Sequence, residues 1–190
     1  MGFNISGLVM DRNYEDNFTE LQNGLGWKLE KESEIDFETA SENWKELDIC
    51  DVYFSEKGTL IFLSPDMCSE PFILKRNNTL TFTISETSMV FNFNYCERGV
   101  LERSILEVEN SRINDEGEKL DIEENIIDTS EIIWSQLEVV LGESFWDIEP
   151  DEKVERYRFV KTEKHKTVEP SGIKVNDEIT SEDKKWWKFW

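Results

Sequence analysis

The apolar residues of this chain recur with two periods, and polar turns mark the places where one gives way to the other. Residues 3–10 read as a short strand with Phe3, Ile5 and Gly7 along one face. Over 13–25, Tyr14, Phe18, Leu21 and Leu25 return at steps of three and four, which predicts a helix stopped by Gly24 and Gly26. Residues 27–37 alternate again and suggest a strand, and 41–47 suit a helical turn bearing Trp44.

The middle of the chain is richest in strand signals. Segments 49–54 and 59–63 are apolar and joined by Ser55-Glu56-Lys57-Gly58, the grammar of a four-residue hairpin loop. Residues 72–75 and 80–84 predict another strand pair across Arg76-Asn77-Asn78. Phe91, Phe93 and Tyr95 alternate with Asn92 and Asn94, predicting one buried and one wet face. After the turn Glu97-Arg98-Gly99, residues 100–108 form a strand whose phase changes between Ile105 and Leu106, the mark of a bulge. Strands this close in sequence pair antiparallel, because parallel pairing needs a long crossover.

Residues 110–125 read as an acidic, glycine-containing loop. Asp128 then caps a helix with Glu131 three residues on, and Ile133, Leu137, Val140 and Leu141 form its apolar stripe up to Gly142. Phe145, Trp146 and Ile148 are expected to close the core, and 154–160 to form a last strand. The fold class is α+β: an antiparallel β-meander sheet with one or two amphipathic helices packed on one face, plus a flexible C-terminal tail. One acidic domain is expected over 1–160, a charged flexible linker over 161–183, and a cationic-aromatic patch over 184–190.

Composition changes this picture mainly through charge. Of 190 residues, 42 are acidic and 21 basic, a formal net charge of −21. Phosphate backbones need clustered Lys and Arg, so nucleic acid is excluded as a partner. The final patch runs against the trend: Lys184, Lys185, Trp186, Trp187, Lys188, Phe189 and Trp190 carry +3, so the remainder carries −24. These seven residues are the candidate partner- or membrane-binding site. They can dock on the acidic body, anchor on a partner protein, or touch an anionic membrane weakly and reversibly, at about 1 kcal/mol per lysine.

The chemistry available is narrow. The sole histidine, His165, lies in the expected linker, which leaves no base for a histidine-assisted serine or cysteine nucleophile. Cys50, Cys68 and Cys96 have no CxxC spacing and do not suggest a zinc site. Gly24-x-Gly26 lacks the third glycine of a dinucleotide fingerprint, and no Walker A motif occurs. An EF-hand phased on Gly117 would put Arg112 at the leading carboxylate position, which excludes it. No cofactor or metal is therefore expected. An odd cysteine count, no signal-peptide pattern and no long apolar run lead to the expectation of a cytoplasmic protein.

The functional expectation is a non-enzymatic, acidic interaction protein that binds or neutralises a partner protein, with a basic one favoured by charge, in the manner of small acidic inhibitors and immunity proteins. That likeness is one of charge and size only. The alternatives are a peripheral membrane adaptor using the terminal patch, and a carboxylate- or metal-dependent enzyme.

Overall fold

The chain threads one antiparallel sheet in the computed structural model, which describes residues 2–160; the expected linker and terminal patch lie outside the described residues. Nine strands are present among the described residues. They are β1 (Asn4–Met10), β2 (Leu29–Asp36), β3 (Ile49–Phe54), β4 (Thr59–Phe62), β5 (Thr79–Ser85), β6 (Val90–Glu97), β7 (Val100–Val108), β8 (Ser111–Gly117) and β9 (Lys153–Phe159). Their order in the sheet is β2-β9-β3-β4-β1-β5-β6-β7-β8, every neighbouring pair antiparallel. Three α-helices accompany them: α1 (Phe18–Leu25), α2 (Phe37–Ser41) and α3 (Thr129–Leu141). The architecture is α+β, with β5 to β8 running as a meander.

Both faces of the sheet are covered. On one, Ile5, Val9, Leu60, Phe62, Phe82, Phe93 and Ile105 pack under Phe37 and Ala40 of α2 and Ile132, Ile133, Leu137 and Leu141 of α3. Burying each large side chain contributes about 1.5–3 kcal/mol, which is why the alternating strands and the helical stripe settle against each other. On the other face, Leu8, Met10, Cys50, Val52, Ile61 and Leu63 pack under Leu21 of α1 and under Cys68 and Leu74. Helix α3 starts where Asp128 accepts hydrogen bonds from the Ser130 and Glu131 amides (2.9 and 3.2 Å) and ends at left-handed Gly142.

Several local expectations give way to a stronger competitor. Residues 72–75 do not form a strand: the Phe72 amide donates to Thr81 Oγ1 and the Phe72 carbonyl accepts from Thr79 Oγ1, so side chains of β5 replace a backbone ladder. The helical turn lies earlier than 41–47, because Asp36 caps α2 by accepting from the Thr39 amide at 2.7 Å. Gly24 sits inside α1, and Gly26 alone ends it in the left-handed region. The asparagine face of β6 is not wet. Asn92 donates to the Cys68 carbonyl, Asn94 to Asn92, Ser104 to Asn94 and Asn114 to Ser104, a polar ladder crossing three strands. Trp146 is exposed, resting on Phe3, Trp134 and Phe145. Most consequentially, the acidic loop expected over 110–125 contains β8, an edge strand paired with β7.

Candidate functional site

The stretch that follows the strand hidden in the acidic segment builds one wall of a groove of about 430 Å³. Tyr95, Glu97 and Glu102 come from the β6–β7 hairpin, Glu118 to Ile122 from the stretch after β8, and Gln136 and Val139 from α3. Tyr95, Leu120, Ile122 and Val139 supply the apolar surface; Val139 is 62% exposed although it lies one helical step from buried Gln136 and Val140. Glu97, Glu102, Glu118 and Asp121 rim the groove against one cation, Lys119. Burial, then the charges of Glu97, Asp11 and Glu102, push the Tyr95 phenol up, so it stays a neutral donor near pH 7.

Arg103 holds the wall in place. It pairs with Tyr95 on β6 and with Gly117 on β8, and its side chain is 1% exposed. Nε and Nη2 donate to Glu123 at 2.8 and 2.9 Å, and Nη1 donates to the Glu116 carbonyl at 2.9 Å and pairs with Asp115. Glu123 Oε1 also accepts from the Leu120 amide at 3.1 Å, which ties the groove wall to the core. Burial pushes the Glu123 carboxyl up, but the hydrogen bonds from Arg103 and Leu120 outweigh it and leave the pKa below the usual range. Gly117 makes the turn from β8 into this wall. Its φ is +88°, and a Cβ there would fall 1.9 Å from the Glu102 carbonyl oxygen.

A second pocket, of about 400 Å³, lies among Tyr14, Glu20, Leu21, Gly24, Ile73, Leu74, Lys75, Arg76 and Asn77. Here the buried polar groups are already matched, with the Tyr14 hydroxyl donating to Asn77 Oδ1 at 2.7 Å. Another ionic cluster is already paired internally. Asp51, fully buried, accepts from Arg156 Nε and Nη2 at 2.7 and 2.8 Å and meets Lys45 Nζ at 3.2 Å. Burial lowers the Lys45 pKa despite Asp51. The triad ties β3, β9 and residue 45 together and lines neither pocket.

Among the described residues, no group of three or more His, Cys, Asp or Glu could hold a metal ion. Cys50, Cys68 and Cys96 are free and buried, and burial raises all three thiols, to about 12 for Cys68, so none is a thiolate near neutral pH. Among the described residues, no helix is long and apolar enough to cross a membrane.

The sequence-predicted site residues, Lys184, Lys185, Trp186, Trp187, Lys188, Phe189 and Trp190, lie outside the described residues. The groove residues carried two readable signals: Leu120 and Ile122, alternating apolar positions in an acidic run, and Gln136, a polar residue within an otherwise apolar helical stripe. Compared with known proteins, the chain matches no protein-family model, no curated protein and no solved structure.

Proposed function

We propose that this is a non-enzymatic, acidic, cytoplasmic interaction protein that binds or neutralises a basic partner protein, and that the groove is where the partner docks. One observation carries the reading: an apolar-floored groove rimmed by four carboxylates and a single lysine. Exposed ion pairs contribute only about 0.2–1 kcal/mol each, so the floor supplies most of the affinity. The rim and the overall charge of −21 supply steering and selection against acidic partners. Three unpaired, buried thiols support a reducing compartment.

The test compares the native protein with the variant Glu97→Gln/Glu102→Gln/Glu118→Gln/Asp121→Asn as bait in lysate of the source cell at about 50 mM salt, where screening is weak. The native bait should retain a basic protein that salt elutes and the variant should not. Equal recovery by both baits refutes the groove as the docking site.

A further inference from the structure

Resting on the groove as the docking site, we infer that its ligand is an extended basic peptide segment, one residue of which offers its main-chain N–H and C=O to the side chain of Gln136. Gln136 is only 4% exposed, yet it lines the groove and its side chain makes no hydrogen bond among the described residues. No side-chain nitrogen or oxygen sealed from solvent lacks a partner among the described residues. The Gln136 amide therefore keeps its small solvent access through the groove. A buried amide left unpaired when a ligand covers it costs more than the hydrogen bond it could have made, so the ligand must supply a match.

The match is chemically specific. A glutamine amide offers an acceptor oxygen and an NH₂ donor side by side. A lysine ammonium or an arginine guanidinium only donates, and would leave the NH₂ group unpaired. An extended chain presents the N–H and the C=O of one residue along the same edge and satisfies both ends. Once the main chain lies on Gln136, the two-residue alternation of an extended segment sends side chains alternately up and down. Those pointing down meet Leu120, Ile122 and Val139; those pointing up meet the carboxylates of Glu97, Glu102, Glu118 and Asp121. The sequence grammar that fits is basic–apolar–basic. Rim and floor alone would also accept a polyamine, so Gln136 is the residue that separates a peptide from a diffuse cation.

The experiment titrates the full chain, isotope-labelled and observed by NMR at about 50 mM salt, with three probes. These are acetyl-Lys-Leu-Lys-Leu-Lys-amide, the same peptide with N-methylated backbone amides, and spermidine. The plain peptide should shift the amide signals of Tyr95, Leu120 and Gln136. It should bind roughly five- to tenfold more tightly than the N-methylated peptide, the value of one hydrogen bond. Gln136→Leu removes both hydrogen bonds, so it should weaken the plain peptide by at least this factor and abolish the difference between the two peptides. Equal binding of the two peptides to the native protein, or of spermidine and the plain peptide, overturns the inference while leaving a charge-guided docking site. If none of the three probes binds, or if Glu97→Gln/Glu102→Gln leaves their binding unchanged, the docking reading itself fails. The peptide comparison on the native protein needs no variant, so a Gln136→Leu protein that failed to fold would not shield the inference.

Discussion

Replacing Glu123 by alanine tests the device that holds the groove wall. The substitution strips Arg103, whose side chain is only 1% exposed in the native protein, of the partners of Nε and Nη2. Breaking a buried pair by removing one member costs about 3–5 kcal/mol. Here Asp115 remains on Nη1 and is 43% exposed, so the guanidinium keeps a counter-charge and the cost falls at the low end, about 3 kcal/mol. With a urea slope of about 2 kcal/mol per molar, the unfolding midpoint should fall by about 1.5 M. The double variant Arg103→Met/Glu123→Leu removes both charges and should recover to within about 1 kcal/mol of the native protein. Urea unfolding followed by tryptophan fluorescence measures the native protein, Glu123→Ala, the double variant and its singles Arg103→Met and Glu123→Leu, with equal slopes as the check on two-state behaviour. A midpoint shift below about 0.3 M for Glu123→Ala, or a double variant as unstable as the two singles added, would show that the pair is not desolvated and that something else holds the wall.

The other expectations probe the same molecule from different sides. Gly117→Ala should cost at least about 2 kcal/mol in urea unfolding, because it strains a left-handed backbone and drives Cβ into the Glu102 carbonyl; a neutral result would mean β8 leaves the sheet by another path. Asp128→Ala should cost about 1 kcal/mol through the lost cap of α3, read by thermal melting, and an unchanged melt would deny the cap. An aromatic disulfide reagent at pH 8 should label no cysteine in the native protein and all three in urea; one fast thiol in the native state would reveal local opening. Glu123, Asp115 and Asp128 all have folded pKa values below their unfolded ones, so the native state binds fewer protons. Their stabilisation is complete above the ordinary carboxylate range and is lost as pH falls through and below about 4. The melting temperature should therefore drop on acidification and be flat, as far as these groups go, from pH 6 to 8; a rise on acidification would reverse the sign.

Where apolar spacing and burial agree, the fold was readable from residues alone. The hairpin of β3 and β4 pairs Phe54 with Thr59 across the expected four-residue loop, and α3 begins and ends at the expected Asp128 and Gly142. The bulge expected on β7 between Ile105 and Leu106 lies elsewhere: the extra residue of β7 is Glu102, opposite the step from Tyr95 to Cys96, and the irregularity beside Leu106 and Glu107 comes from an extra residue on β8, Ile113. What could not be read has a common cause, the replacement of apolar contacts by polar ones. Strand β8 has no buried residue, and it exists because β7 offers it a hydrogen-bonding edge and Arg103 a counter-charge. The Asn92 and Asn94 pattern looked like a solvated face because sequence does not show what lies above it. The groove was missed for the same reason, since its residues come from segments up to 44 positions apart, Tyr95 to Val139.

The insertion of β9 between β2 and β3 sets an order on folding. Among the described residues, strand β2 has β9 as its only strand partner, and Lys31 meets Glu155 across 124 residues of chain. Closing so long a loop is slow compared with the local hairpins of β5 to β8. As the chain is synthesised, the meander can form early, while β3 waits with an open edge and β2 with no ladder at all. A chain stopped short of Lys153 would therefore be an unfinished sheet with a bare edge, the kind of surface on which other chains assemble. A rearranged gene that places β9 immediately before β2 would turn the slowest contact into a local one and should shorten the time this protein spends exposed.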